Sequence, residues 1–359
     1  MLIVRTPVRI SFAGGGTDLP GYYERFGGAV LSAAINKHFY TILQKRTDGK
    51  VQLISSDLRA IETWEDISRT LKKGTELDIP LAVLRQLGCA VSVSLFLASE
   101  IPPGTGLGSS ASVCVNVLKT VGTYIGREMS KYELAERAFQ IARNVLGKPV
   151  GKQDEYAAAF GGINFIRFER NGDTTVEPLQ IDPAVLHELQ SSLMLFFTGA
   201  SRDSWKILKE QEASTATEHG SAVESLHEIR QLADHMRKTL QAGDLRRFAA
   251  LLHEGWEAKK RISTNISTSL IDEAYQAARD VGALGGKITG AGGGGFLLLF
   301  CPELQQDAVR AALADLGATE MMFDFDFQGA QVVVNDPFID GDQLGGMRWT
   351  FSPVKSGTL

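Results

Sequence analysis

A dense glycine and serine run between a predicted strand and a predicted helix constrains this 359-residue chain more than any other segment. The run is PPGTGLGSSAS, residues 102–112, and it follows an apolar stretch at residues 90–98. Closely spaced glycines let backbone N–H groups surround an anion, and the positive end of the following helix dipole adds to the attraction. Ser109 and Ser110 place hydroxyls at the same helix end, where they suit phosphate oxygens or Mg²⁺. A plain turn with a serine N-cap is the alternative, and the density of the run favours phosphate binding.

The glycine patterns exclude two common nucleotide motifs. The loop has no lysine, so it is not a Walker A motif, and Ser109 occupies the third glycine position of a dinucleotide fingerprint. A second cluster, ITGAGGGG at residues 288–295, satisfies G-x-G-x-x-G, but an apolar strand follows it where the fingerprint requires a helix. Its glycines indicate a backbone that lies close to a ligand or to a neighbouring segment, and a purely structural crossing remains an equal alternative.

Two further segments combine a cation with a carboxylate. In PVRISFAGGGTD, Arg9 leaves a predicted strand and Asp18 ends a glycine turn. Arg9 could neutralise a phosphate and Asp18 could accept hydrogen bonds from sugar hydroxyls. In GKQDEY, Asp154 could serve as the general base for a hydroxyl, with Lys152 favouring the ionised carboxylate. Taken singly, each aspartate is better explained as a turn or capping residue.

Strands and helices that do not alternate strictly favour an α+β fold over a doubly wound parallel sheet. The predicted strands cover residues 2–12, 38–46, 51–55, 90–98, 285–289, 296–301, 321–327 and 332–334. The predicted helices run from Ala111 to about Gly126, from Lys131 to Leu146 with Ser130 as N-cap, through most of residues 203–262, and up to Leu316. We place the domain change near residues 178–183. The predicted domains are therefore residues 1–185 and 186–336, followed by an extended tail at 337–359.

The charge balance limits the classes of partner. The formal net charge is -5, which argues against a general nucleic-acid binder and leaves any anionic substrate to a local site. The sequence has no N-terminal leader pattern and no apolar run near the roughly 20 residues of a membrane span, so we expect a cytoplasmic protein with no membrane partner. The oligomeric state stays open, with a homodimer as one option.

Taken in this order, the segments resemble the three signature motifs of the GHMP kinases, over most of the chain from Ile3 to Val334. The resemblance implies a two-domain GHMP kinase fold, with an N-terminal mixed α/β domain and a C-terminal ferredoxin-like domain with added helices. It implies an active site in the cleft between them, with ATP and Mg²⁺ as cofactors.

The resemblance also implies roles for individual residues. It assigns the nucleotide to Pro103, Gly104, Gly106, Leu107, Gly108, Ser109, Ser110 and Ala111, and Mg²⁺ to Ser110. It implies that Asp154 is the catalytic base and that Arg9 is the basic residue of the first motif. We further predict that Lys152 or Arg9 offsets the charge that develops at the γ-phosphate. We predict substrate contacts for Gly16, Thr17, Asp18, Asp154, Arg202, Gly292 and Gly293. Arg202 and Lys206, near the start of the first C-terminal helix, are the candidates for binding a phosphate on the sugar.

The segments FAGGGTDLP, GKQDEYAAAFGG and KITGAGGGGF are similar to the sugar 1-kinases of the family. This similarity implies phosphorylation of the anomeric hydroxyl of D-glycero-D-manno-heptose 7-phosphate, giving the 1,7-bisphosphate for nucleotide-heptose synthesis. A kinase for an unphosphorylated sugar such as L-fucose, and a catalytically weak relative that only binds such ligands, are the alternatives. One departure bears on this choice, because Ile141-Ala142-Arg143 lacks the glutamate that commonly serves the family as a second Mg²⁺ ligand. Ser110 alone, a contribution from Asp154 or Glu155, and impaired catalysis remain open.

Overall fold

The structure is a computed structural model that describes residues 1–67, 77–88, 92–199, 204–214 and 220–336. Its strands are β1 (Leu2–Ala13), β2 (Gly28–Lys45), β3 (Val51–Ser55), β4 (Ala60–Trp64), β5 (Val93–Ser99), β6 (Ile163–Phe168), β7 (Thr174–Pro178), β8 (Leu193–Phe197), β9 (Gly285–Ile288), β10 (Phe296–Phe300), β11 (Thr319–Glu320) and β12 (Gln331–Asn335). Its helices are α1 (Pro20–Phe26), α2 (Asp78–Gln86), α3 (Ser109–Tyr124), α4 (Lys131–Gln140), α5 (Gln153–Phe160), α6 (Pro183–Ser192), α7 (Ser204–Ser214), α8 (Ser221–Gln241), α9 (Leu245–Lys260), α10 (Ser269–Asp280) and α11 (Glu303–Ala314). The strands form two largely antiparallel sheets with helices packed on them, which confirms the α+β class.

The first sheet is organised around β2, which is long enough to pair with three strands. It pairs with β1 along most of its length, with β6 in its first half and with β5 in its second half. The side chains of β1 alternate between the two faces of this sheet. Val8, Ile10 and Phe12 pack in a core with α8 and α9, so Arg9 and Ser11 face α5. This alternation places a cation of the first strand beside the helix that carries Asp154.

The second sheet has the strand order β11-β8-β10-β9. Numbered along the chain, this order is 4-1-3-2, the arrangement of a ferredoxin-like split βαβ unit, as predicted. The five residues of β10 are all buried because helices cover the sheet. The helices α7, α8 and α9 correspond to the amphipathic helices predicted within residues 203–262.

Two predictions of strand extent are wrong. The strand predicted at residues 38–46 begins ten residues earlier, at Gly28, because a small-residue stretch that has no clear alternation is buried on both faces of the sheet. The strand predicted at residues 321–327 forms only an isolated bridge between Phe325 and Ile35. Around this bridge Asp324 and Asp326 exchange backbone hydrogen bonds with Asn36 and Ala34, but on the other edge the Phe325 N–H donates to Gln190 Oε1 at 3.1 Å. A side chain therefore takes the place of a neighbouring strand there.

The chain returns to the first sheet after the second sheet is complete. The strand β12 pairs antiparallel with β1, from Gln331 opposite Arg5 to Asn335 opposite Leu2. It is thereby an edge strand of the N-terminal sheet. The domain limits 1–185, 186–336 and 337–359 remain a prediction, and the predicted tail lies outside the described residues.

The helix α3 is fixed to the first sheet by a buried amide. It begins at Ser109, two residues before the predicted start, and carries Asn116 in its second turn. The Asn116 side chain is fully buried, and its Nδ2 donates to Val4 O, to Thr6 Oγ1 and to Phe39 O at 3.0–3.1 Å. The start of α3 is therefore held in a fixed position relative to β1 and β2.

We predict that Asn116→Ala lowers the free energy of unfolding by about 2–3 kcal/mol, because it leaves buried acceptors without a donor. Urea unfolding followed by circular dichroism measures this change. Asn144→Ala is the matched control, because Asn144 is exposed and its loss should change stability by about 0.5 kcal/mol or less. Equal stability of the two variants would contradict the anchoring role of Asn116.

Candidate active site

A cleft of about 360 Å³ lies where the glycine-serine loop, α5, α7 and α9 come together. The loop contributes Pro103, Gly104, Gly106, Gly108, Ser109, Ser110 and Ala111 to its lining. The opposite walls carry Arg9, Gly16, Asp18, Asp154, Glu155, Lys259 and Gly290. Most of the residues predicted to form a site therefore share one cleft.

The backbone of the glycine-serine loop leads directly into the first turn of α3. Gly108 has a φ of 79°, a left-handed conformation in which a side chain would be strained, and an added Cβ would lie 3.3 Å from Asp154 Oδ2. The first turn of α3 thus begins in close contact with the catalytic carboxylate candidate. Leu107 is fully buried and its carbonyl accepts a hydrogen bond from the Arg9 N–H at 2.9 Å, so it supports the loop from behind.

The second glycine cluster packs directly on this loop. A Cβ added to Gly290 would lie 2.6 Å from the Cα of Gly106, so the two backbones cross in van der Waals contact. Gly292 and Gly293, predicted to contact substrate, are not among the cleft-lining residues. The Gly293 N–H donates to Ile266 O at 2.7 Å, so these two glycines serve a packing role against the segment before α10.

A bidentate ion pair between Arg9 and Asp154 joins the two sides of the cleft. Arg9 Nε donates to Asp154 Oδ1 and Nη2 donates to Oδ2, both at 2.7 Å. Arg9 Nη1 donates to Gly106 O at 2.7 Å. The Arg9 side chain is 5% exposed and that of Asp154 30%, so the carboxylate stays accessible from the cleft. This geometry presents a carboxylate beside a cation at the edge of an anion-binding loop.

Asp18 lies on the same wall as Asp154, beside the start of α5. Its Oδ1 accepts from the Gly16 N–H at 2.9 Å and its Oδ2 accepts from the Gln153 N–H at 3.2 Å. Burial, and secondarily the negative charge of Asp154, raise the pKa of the Asp18 carboxyl above its usual range. Thr17 is fully buried and does not line the cleft; its hydroxyl donates to Gly14 O, which gives it a structural role in the turn.

The position of Lys152 differs from the prediction. Its Nζ donates to Glu136 Oε2 at 2.9 Å and to Gly172 O at 2.7 Å, in a separate cavity behind α5. The ammonium also lies over the ring of Phe139. Lys152 therefore does not supply charge beside Asp154, and Arg9 occupies that place. Arg202 lies outside the described residues, as does the side chain of Lys206.

Sequence reasoning missed one cation of the cleft. Lys259 is 5% exposed, and its Nζ donates to Gly290 O. In the sequence it belongs to the run Lys259-Lys260-Arg261, which is typical of a solvated helix end. Only its spacing in the sequence indicates that it is buried, because Lys259 follows Leu252 and Trp256 on the apolar face of α9.

The far end of the cleft is apolar. It is lined by Phe39, Leu58, Leu77, Ile79, Pro80 and Leu97, between α2 and the end of β5. A few polar groups border it, among them Ser55, Asp57 and Ser99. An apolar slot with sparse polar groups suits a flat heterocycle adjoining the anion-binding loop.

Comparison with known proteins decides the family. The model of the GHMP kinase N-terminal domain matches residues 74–162, and that of the GHMP kinase C-terminal domain matches residues 236–319. The D-glycero-alpha-D-manno-heptose 7-phosphate kinase of Campylobacter jejuni is 33% identical over 329 residues, covering 90% of this chain and 95% of the relative. The chain belongs to the GHMP kinase family. This GHMP kinase is a sugar kinase, a phosphotransferase with an alcohol group as acceptor, and members of the family use ATP as a substrate.

Two further relatives of this GHMP kinase cover most of its length. A crystal structure described as a D-glycero-D-manno-heptose 1-phosphate kinase from Bacteroides thetaiotaomicron has a TM-score of 0.78 and 29% identity, and covers 94% of this chain and 100% of that chain. The L-fucokinase/L-fucose-1-P guanylyltransferase of Bacteroides fragilis is 28% identical, over 85% of this chain and 35% of that protein. Across its described residues, the kinase has no helix with the length and apolar character of a membrane-spanning segment.

We predict that Lys152→Met lowers the free energy of unfolding by about 1.5–3 kcal/mol, because Glu136 and Gly172 O lose a charged donor. The rate of phosphoryl transfer, measured where the variant is folded, should stay within about threefold of wild type. Arg9→Met is the comparison variant and should slow the reaction by at least about 100-fold. Loss of activity in a fully stable Lys152→Met protein would restore the catalytic assignment that the geometry opposes.

Proposed function

We propose that this kinase transfers the γ-phosphoryl group of ATP to the anomeric hydroxyl of D-glycero-D-manno-heptose 7-phosphate, giving the 1,7-bisphosphate. The observation that carries the proposal is the Arg9–Asp154 pair at the edge of the phosphate loop. The similarity over nearly the whole length of a heptose 7-phosphate kinase supports the choice of acceptor. The product would serve nucleotide-heptose synthesis.

The proposed reaction follows from the contacts of Asp154. The anomeric oxygen attacks the γ-phosphorus, the bond from that phosphorus to the bridging oxygen of ADP breaks, and the hydroxyl proton passes to Asp154. Arg9 holds both carboxylate oxygens in one orientation, so the base is positioned before the sugar arrives. Asp18, fixed by two backbone N–H groups beside Asp154, would orient the sugar hydroxyls. The loop amides and the start of α3 would hold the phosphates.

The apolar end of the cleft would take the adenine ring. It shares one cleft with Pro103 and Gly104 of the loop and with Asp154, so a nucleotide would run from the slot along the loop to Asp154. The polar atoms at its border would select among purines.

The oxygen atoms that line the cleft also suit Mg²⁺ as ligands. Among the described residues, Ser109 Oγ and Glu155 Oε2 are buried oxygen atoms without a hydrogen-bond partner, and both residues line the cleft. Hydroxyl and carboxylate oxygens are the ligands that Mg²⁺ prefers together with phosphates. Ser110, at the exposed start of α3, remains the predicted serine ligand. We propose that Glu155 supplies the carboxylate that is missing at Ala142. A cation bound there would neutralise phosphate charge.

Glu155→Gln should raise the Mg²⁺ concentration needed for half-maximal activity by at least about tenfold, because a neutral amide replaces an anionic ligand. The Mg²⁺ dependence of ADP affinity, measured by calorimetry, gives a second readout that does not depend on turnover. Glu133→Gln is the matched control, since Glu133 lies on the surface of α4 and pairs with Arg137. An unchanged Mg²⁺ dependence of both readouts removes Glu155 from the metal site.

Asp154→Asn should slow single-turnover phosphoryl transfer by about 100- to 10,000-fold, because an amide cannot accept the proton. Rapid-quench measurement at saturating ATP separates this step from product release. A rate near that of wild type would show that Asp154 is not the base.

An acceptor panel tests the substrate. We expect ADP release with D-glycero-D-manno-heptose 7-phosphate at a kcat/KM at least about 100-fold above that for L-fucose or D-mannose, because only the first of these acceptors carries a phosphate that the site can bind. The relation to an L-fucokinase makes fucose the second candidate. Preferential turnover of fucose would replace the proposed acceptor. Thermal stabilisation by these sugars without ADP release would indicate a binding protein instead.

A further inference from the structure

A buried ammonium group lies beside the Arg9–Asp154 pair and has no role in the reaction described so far. Lys259 is 5% exposed, lines the cleft, and donates from Nζ to the carbonyl of Gly290. Gly290 in turn packs on Gly106, whose carbonyl accepts from Arg9. The ammonium is thus connected through Gly290 to Gly106, the loop residue whose carbonyl binds Arg9.

The burial of this charge is unfavourable in the ligand-free protein. Desolvation, and secondarily the positive charge of Arg9, lower the pKa of Lys259 to about 8, while Asp18 and Asp154 oppose that shift. A second buried cation, Lys287, lies on the strand next to it, and burial holds its pKa well below the usual range. An apolar residue would pack at position 259 at lower cost, so a lysine there is explained best by a ligand that restores its charge.

We propose that Lys259 is a catalytic residue that binds the γ-phosphoryl group of ATP during its transfer. This inference rests on the proposed kinase reaction and adds a residue to it. When ATP binds, one N–H of the ammonium turns from Gly290 O to a γ-phosphate oxygen. The ammonium keeps its protons throughout, because the hydroxyl proton goes to Asp154 and the broken bond leaves its electrons on ADP. Positive charge aimed at the transferring group is the main means by which proteins accelerate phosphoryl transfer.

The position favours the γ-phosphate over the other phosphates. The α- and β-phosphates would lie along the loop toward the apolar slot, away from Asp154. The phosphate of the sugar would lie at the far end of the acceptor from its reacting hydroxyl. The charges that act on the pKa of Lys259 are those of Arg9, Asp18 and Asp154, the residues proposed to surround the reacting oxygen.

Binding of ATP and of ADP, without acceptor sugar, tests the assignment in full-length protein. Wild type should prefer ATP, and Lys259→Met should lose about 10- to 100-fold in ATP affinity with ADP affinity unchanged, as expected for a charge-assisted hydrogen bond. Lys260→Met is the matched control, because Lys260 is the next residue of α9 and pairs with Glu257 outside the cleft. Its affinities should equal those of wild type.

Two further readouts separate this role from a structural one. The ATP preference of wild type should fall by about tenfold from pH 7 to pH 9, since Lys259 loses its charge above pH 8 in the free protein, and Lys259→Met should show no such change. The melting temperature of ligand-free Lys259→Met should stay close to that of wild type, because removal of the buried charge offsets the hydrogen bond that Gly290 O loses.

Three outcomes would overturn the assignment: equal loss of ATP and ADP affinity, loss confined to sugar phosphate binding, or a lowered melting temperature with the ATP preference intact. The acceptor assay is a separate measurement. A protein whose ATP preference depends on Lys259 but which phosphorylates no heptose phosphate would lose its proposed substrate and keep this residue assignment.

Discussion

The two-point contact between the Arg9 guanidinium and the Asp154 carboxylate holds the functional half of the molecule together. It connects the first strand to a helix 145 residues later in the chain. The third donor of the same guanidinium binds the carbonyl of Gly106, so Asp154 and the glycine-serine loop share one anchor. Gly290, which follows β9 of the second sheet, packs on Gly106 at a distance that leaves no room for a side chain. The cleft exists because these three segments meet at this point.

Much of the site could be predicted from the sequence because its determinants are local. The loop at residues 102–112 combines glycines with a helix start, and that chemistry depends on neighbours within a few positions. Asp18 and Asp154 were assigned through the order and spacing of whole motifs, and the structure places both in one cleft with the loop. The 4-1-3-2 sheet followed from the same resemblance. Motifs of this kind locate a site without specifying which way each side chain points.

The wrong predictions concern the direction in which a side chain points and the pairing of segments that are far apart in the sequence. Lys152 lies two residues before Asp154, and positions two apart at a helix start project about 200° from one another, so the lysine turned to the far side of α5. The place of Lys259 in the cleft was not predicted, because charge alone does not distinguish a lysine on an apolar helix face from its solvated neighbour. Residues 321–327 have a strand-like pattern, but Gln190 takes the place of a partner strand. Each of these outcomes depends on segments that are far away in the sequence.

The pairing of β12 with β1 also determines when the first sheet can be finished during synthesis. The free edge of β1 from Leu2 to Arg5 has no partner until Gln331 to Asn335 leave the ribosome. Once β7 has been made, the nascent N-terminal half therefore carries an unpaired strand edge until the chain from Pro178 to Gln331 has been translated, which makes it a target for non-native pairing or for a chaperone. Completion of the sheet is a late event that requires nearly the whole polypeptide, and the order of translation makes the two halves of this enzyme dependent on each other.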